Sequence, residues 1–243
     1  MANIYGVLPV LEALRAGARR LDRILIAEGS RDSRLRDVLD AARRARVPIR
    51  NEPRVSLDRL THNANHQGVV AITSAASFTD VEDLLKHLSP KTLFILLDGV
   101  EDPHNLGAII RTAECGGASA VIIPQRRAVH LTDAVAKSSA GAIEHLPVSR
   151  VTNLASFIME LKKRNVWVIG VESSGTTAYN KFDFRGATAL VFGGEGGGLH
   201  RLVRERCDAV VSIPMYGKVA SLNVSVAVGI VLFEAIAQRE RLK

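Results

Sequence analysis

The stretch Val210 to Ala237, VVSIPMYGKVASLNVSVAVGIVLFEAIA, decides how the chain is read. It opens with a β-branched run, Val210 to Ile213, which Pro214 stops. A loop carrying Gly217 and Lys218 follows, and a long apolar segment then begins at Ser221, Leu222 and Asn223. No charge occurs from Val219 to Phe233. That run is shorter than the roughly 18–20 apolar residues a helix needs to cross a bilayer, and it contains Ser221, Asn223, Ser225 and Gly229. The better reading is a buried core helix. Its polar residues cluster in the first turns, where unpaired N–H groups and the helix dipole favour an acceptor or an anionic ligand. Ser221 is expected to act as a cap, and Asn223 less so because one cap usually suffices.

Working back, the apolar runs Leu93 to Leu97, Ala120 to Ile123, Val166 to Ile169 and Ala189 to Phe192 alternate with helical patterns. Continuous apolar strands of this kind predict a parallel sheet covered on both faces. Ligands of such α/β sheets collect beyond the carboxyl ends of the strands, which directs attention to the loops there. After Leu97 comes DGVEDPHNLG, leading into a helix through Arg111. Leu106, Ile109, Ile110 and Ala113 form one apolar stripe and Arg111 faces away from it; Asn105 stands where a cap is expected. After Phe192 comes GGEGGG, Gly193 to Gly198, with five glycines in six residues. It is neither a Walker loop nor a GxGxxG match, and Glu195 inside it is not explained as a turn residue.

Residues 3–73 read as a separate small α/β domain: a helix from Val7 to Ala16, a strand from Arg23 to Ala27, an arginine-studded helix from Arg31 to Arg46, and strands at Val47 to Arg50 and Val69 to Thr73. The polar loop THNANHQG, with His62, His66 and Gln67, could meet RNA or be a plain connection. Residues 1–73 are therefore taken as one domain, 74–90 as a linker and first helix capped by Thr79 or Asp80, and 91–243 as the second domain.

Composition adds bounds. The 243 residues carry a formal charge of +7, and residues 1–60 hold 13 Arg and no Lys against 8 acidic residues. A polyanionic partner is plausible through attraction to phosphates; a solvated basic surface is the alternative. Cys115 and Cys207 belong to no metal-ligand or disulfide pattern, and the histidines form no HExxH pair, so no metal is expected and a reducing cytoplasm fits. No Ser-His-Asp, Cys-His or paired-carboxylate set is visible. The inventory suits a site that holds a cofactor by backbone and orients a polar substrate.

At DPHNLGAIIRTAECGG (Asp102 to Gly117), VFGGEGGGL (Val191 to Leu199) and SIPMYGKVASLNVSVAVGI (Ser212 to Ile230), the chain resembles the SPOUT superfamily, and within it the SpoU (TrmH-type) RNA 2'-O-ribose methyltransferases. Ile4 to Leu14 and His66 to Ala71 are similar to that family's RNA-binding N-terminal domain, which resembles certain ribosomal proteins. The resemblance implies a parallel-sheet domain with a deep trefoil knot, S-adenosyl-L-methionine as cofactor, and a homodimer. It implies a guanosine of 23S ribosomal RNA as substrate, with transfer RNA, or a non-catalytic RNA-binding or ribosome-assembly role, as alternatives. Functional positions carried over are Asn105, Arg111, Glu195, Ser221 and Asn223. Cofactor contacts fall on Gly193, Ile213, Met215 and Leu222. Under that reading Arg111 binds a phosphate or the developing alkoxide, Glu195 orders the site and accepts a proton, and Asn105, Ser221 and Asn223 hold the ribose and the loops.

Overall fold

The computed structural model describes residues 2–30, 33–126, 130–194 and 197–241. It divides into two compact units, Met1–Ser77 with His130–His145, and Phe78–Val129 with Leu146–Lys243.

The first unit is built on β1 (Ala2–Tyr5), α1 (Val7–Ala16), β2 (Leu21–Ala27), α2 (Arg34–Arg44), β3 (Ile49–Glu52), α3 (Arg54–Leu60) and β4 (Val69–Thr73). Its sheet runs β1-β4-β2-β3, with β4 antiparallel to both neighbours and β2 parallel to β3. The period-two pattern divides the strand residues between two faces. Ile24, Ile26, Val69 and Ala71 pack with Val10, Leu14 and Val38, whereas Leu25, Ala27, Val70 and Ile72 pack with Leu57. The short strand β1 and helix α3 have no counterpart in the expected pattern, because four and seven residues are too few to display a period. Helix α2 ends at Arg44, short of the expected Arg46, the expected start at Arg31 lies outside the described residues, and β3 begins at Ile49 rather than Val47.

The polar loop has two anchors of its own. His66 is buried; its Nε2 lies 2.9 Å from Asp58 Oδ1, and its Nδ1 accepts the Gly68 amide at 3.0 Å. Gln67 accepts the Val7 amide through its side chain. Both residues therefore hold the loop closed, and His62, Asn63 and Asn65 are left exposed.

The sequence reading places residues 130–145 inside the second domain, but the structure groups them with the first unit. They carry α6 (Asp133–Ser138) and a single 3-10 turn at Ala142–Glu144. Glu144, almost fully buried, accepts two hydrogen bonds from one edge of the Arg19 guanidinium, Nε donating to Oε2 at 2.9 Å and Nη2 to Oε1. Lys137 donates to the Asn65 carbonyl at 2.9 Å and lies over the Tyr5 ring. Gly141 lacks a Cβ where one would stand 2.6 Å from Glu12 Cβ, so α1 and this turn close together. These are long-range side-chain pairings, which periodicity does not display.

The second unit contains α4 (Val81–Lys86), β5 (Leu93–Asp98), α5 (Pro103–Cys115), β6 (Ala120–Pro124), β7 (Val148–Val151), α7 (Leu154–Lys163), β8 (Trp167–Val171), β9 (Thr177–Ala178), β10 (Thr188–Gly193), α8 (Arg201–Arg206), β11 (Ala209–Ser212) and α9 (Val224–Glu240). Its seven strands are all parallel, in the order β7-β6-β5-β10-β8-β11-β9. The five expected apolar runs are its inner strands; the edge strands β7 and β9 are too short and polar to have shown themselves. The linker is anchored before α4: Ser149 donates to the Thr79 carbonyl at 2.7 Å, and Asp80 caps α4 by accepting the Glu82 amide.

Helices α5 and α9 lie side by side and run in the same direction. Asn105 meets Asn223 near their starts, Thr112 lies against Gly229, and Gly116 has room only for Leu232 and Ile236. β11 is the strand between β8 and β9, and the link 172–176 that joins those two must therefore cross it. It does so over Val211 and Ser212: a Cβ on Gly175 would stand 2.4 Å from the Val211 carbonyl carbon, and the Glu172 amide donates to the Val211 carbonyl at 3.0 Å.

Candidate functional site

The carboxyl ends of β5 and β10 are paired, Asp98 beside Gly193. From β5 the chain steps outward one way to β6 and β7, while β8 and β11 lie on the far side of β10. This reversal is the place where a parallel sheet opens a crevice. A cavity of about 500 Å³ lies there, within the range of roughly 300–1,000 Å³ usual for small-molecule sites. Val171, Phe192, Ile213, Met215 and Leu222 supply its apolar wall, and Gly193, Gly194 and Gly198 its backbone wall.

The glycine loop is pinned at both ends by one residue. The Asp98 carbonyl accepts the Gly194 amide at 2.8 Å, and the buried Asp98 carboxylate accepts the His200 amide at 2.7 Å and lies 2.9 Å from His200 Nδ1. Within the loop the two arms are in backbone contact. A Cβ on Gly193 would stand 2.1 Å from the Gly198 carbonyl oxygen, and one on Gly194 2.1 Å from the Gly99 carbonyl oxygen. Gly198 has φ +62, a left-handed conformation that glycine adopts without strain.

Asp102, not Asn105, caps α5, accepting the His104 and Asn105 amides at 3.1 and 3.2 Å. Pro103 at the first helical position fits the same start. Asn105 is thereby released from capping and accepts Asn223 Nδ2 through its Oδ1 at 2.9 Å. Asn223 caps α9, its Oδ1 accepting the Ser225 amide at 2.9 Å; the expectation that Ser221 is the cap is corrected, because the helix begins only at Val224. Ser221 instead lines the cavity.

The structure thus brings together Gly193, Ile213, Met215, Ser221, Leu222 and Asn223 on one cavity, with Asn105 joined to it through Asn223. Arg111 is exposed on the face of α5 away from the core, is not part of the cavity wall, and forms no ion pair with the described residues. Glu195 lies outside the described residues.

Sequence reasoning missed Asp98 and Glu172 as site residues. Each directly ends a buried strand, which was the available signal. Glu172 lines the cavity. Its Oε2 accepts Ser174 Oγ at 2.6 Å and Arg204 Nε at 2.9 Å, and its Oε1 accepts the Leu199 amide at 3.2 Å. Burial pushes this carboxyl up, but the hydrogen bonds from Ser174, Leu199 and Arg204 outweigh it and leave the pKa below the usual value, so the group is ionised at neutral pH. Burial pushes the Cys207 thiol up to about 12, so it is no nucleophile at neutral pH. Among the described residues no helix is long and apolar enough to cross a membrane, and no cluster of His, Cys, Asp and Glu could hold a metal ion.

A glycine-walled cavity at the switch point of an all-parallel α/β sheet is the usual seat of a small-molecule ligand. The SpoU rRNA methylase family model matches residues 92–233, and the model for the substrate-binding domain of RNA 2'-O ribose methyltransferases matches residues 3–79. The chain belongs to the SpoU rRNA methylase family. It is 43% identical over 239 residues to YacO of Bacillus subtilis, named as a TrmH family tRNA/rRNA methyltransferase, covering 97% of this chain and 95% of that one. It is equally 43% identical to the 23S rRNA (guanosine-2'-O-)-methyltransferase RlmB of Xylella fastidiosa, over 97% of this chain and 96% of that one. Among solved structures, AviRb of Streptomyces viridochromogenes in complex with S-adenosylmethionine superposes with a TM-score of 0.83 at 27% identity, over 99% of this chain and 90% of that one. The Aquifex aeolicus TrmH/SpoU tRNA modifying enzyme matches 66% of this chain, at 30% identity over 83% of its own length and a TM-score of 0.57.

Proposed function

We propose that this chain transfers a methyl group from S-adenosylmethionine to the ribose 2'-hydroxyl of a guanosine in 23S ribosomal RNA, and that it does so as a homodimer. The observation that carries the reading is the Asn105–Asn223 hydrogen bond. It joins the first and third motifs at the rim of a cavity that the glycine loop of the second motif walls.

The cavity fits the donor in kind. It offers an apolar slot for a purine, backbone groups for its edge and one carboxylate for hydroxyls or a cationic group. The bound donor supplies an electrophilic methyl on a sulfonium. What remains for the chain is to orient the hydroxyl and stabilise the charge that develops on its oxygen. Ser221 and Asn223 stand at the rim to meet a ribose, with Asn105 fixing Asn223. Arg111 is read as the cation for the RNA phosphate or the developing alkoxide. A guanidinium ordinarily titrates above about 12 and is a poor base at neutral pH, so the proton is assigned to Glu195.

Ribosomal rather than transfer RNA is favoured by the N-terminal unit, since the substrate-binding model covers residues 3–79 whereas the tRNA enzyme of A. aeolicus matches only 66% of the chain. Arg36, Arg43, Arg44, Arg46, Arg50, Arg54 and Arg59 are exposed there and suit a phosphate backbone. Arg19 is withdrawn from that set by Glu144. The test is incubation with labelled S-adenosylmethionine and unmodified 23S or transfer RNA, followed by mapping of the 2'-O-methylated nucleotide. A single guanosine in 23S RNA is expected; label confined to transfer RNA would reject the substrate, and no label despite donor binding would reject the activity.

The dimer is supported by α9, which exposes Val226 and Phe233 at 48% and 50%, two turns apart, with Leu222 before them at 39%. Tyr216, in the loop that precedes this helix, is exposed at 97%. Sedimentation equilibrium is expected to give twice the chain mass of 26.3 kDa. The double variant V226E/F233E should sediment as a folded monomer; a wild-type monomer at micromolar concentration would refute the proposal. The trefoil knot belongs to the same reading, and the crossing of the link 172–176 over β11 supports it.

A further inference from the structure

We propose that the Glu172 carboxylate accepts the ribose hydroxyls of the methyl donor, a contact that would set the cavity's preference for a ribonucleoside. The inference rests on the reading of the cavity as the donor site. Among the described residues of the cavity wall, Glu172 is the sole ionisable side chain. It is the first residue past β8, and β8 is hydrogen-bonded to β10, the strand that carries the glycine loop, with Val171 opposite Phe192. An acidic residue at the end of the strand beside a glycine-loop strand is where dinucleotide-binding α/β sheets bind a ribose hydroxyl. The spatial relation is the same here, although the loop is not the dinucleotide fingerprint.

The hydrogen-bond inventory leaves room for it. Each carboxylate oxygen has two acceptor sites. Oε2 is filled by Ser174 and Arg204, whereas Oε1 holds a single long bond from the Leu199 amide. Ser174 and Arg204 fix the rotamer and hold Oε1 against the glycine loop. A Cβ on Gly198 would stand 2.5 Å from Oε1, so this close approach needs glycine at that position.

The experiment is a calorimetric titration of the full chain with S-adenosylhomocysteine and with its 2'-deoxy and 3'-deoxy counterparts. Wild type is expected to bind at least one deoxy compound about 10- to 100-fold more weakly, the range of a hydrogen bond to a charged group. Glu172→Gln is expected to weaken the parent compound by a similar factor and to lose most of the discrimination. Losses that simply multiply would show that Glu172 acts through the loop and would overturn the proposal. So would a wild type that binds all three compounds equally, a result that needs no variant to fold. Wild type that binds none of them would reject the donor site itself.

Discussion

Arg111→Ala is expected to lower methyl transfer by about 100- to 1,000-fold, the range found when one preorganised donor to a developing oxyanion is removed. Thermal stability and donor affinity should stay close to wild type. Both expectations come from placement: the side chain is exposed on α5, forms no ion pair with the described residues and takes no part in the cavity wall. Single-turnover methylation with RNA in excess reports the chemical step, and calorimetry with S-adenosylhomocysteine reports the donor site. Parallel loss of both would move Arg111 into donor binding. Arg111→Lys divides charge from fork geometry, and recovery of most of the rate would show that a point charge suffices.

Gly194→Ala, like Gly193→Ala, should be among the most damaging additions of a single methyl group in the second unit. At Gly194 the added carbon would lie 2.1 Å from the Gly99 carbonyl oxygen, and both partners are backbone at the pinned ends of paired strands. No rotamer change relieves such a contact, so the loop must move away from Asp98 and lose the Gly194 amide hydrogen bond. Donor affinity is expected to fall by at least about 100-fold, in keeping with buried backbone left unsatisfied and a displaced wall. Gly197→Ala is the control, since nothing lies within 4 Å of its added carbon. Equal binding by the Gly194 and Gly197 variants in calorimetry would show that the loop adapts freely.

Much of this was readable in the sequence, for identifiable reasons. Central parallel strands must be apolar on both faces, so Leu93 to Leu97 and Ala189 to Phe192 announce themselves. Edge strands are under no such constraint, and β7, with Arg150 exposed in the middle of it, could not be separated from loop. The glycine loop and the polar start of α9 were visible as local anomalies. Asp98 and Glu172 were not, because a carboxylate at a strand end gains its meaning from the neighbouring strand, and strand order is a long-range property. The exchange of caps has the same origin. Asp102 and Asn105 are both good capping types, and only the position of Asn223 shows which one is needed elsewhere.

The passage of the link 172–176 over β11 bears on what a ligand measurement means for this protein. The link contributes Glu172 and Ser173 to the cavity, and the segment it crosses continues into Ile213 and Met215, which also line it. A molecule in which the final strand had not taken its slot would therefore have only half a receptacle. Nucleoside uptake reports a completed chain, and by mass action it favours that form over any unfinished one.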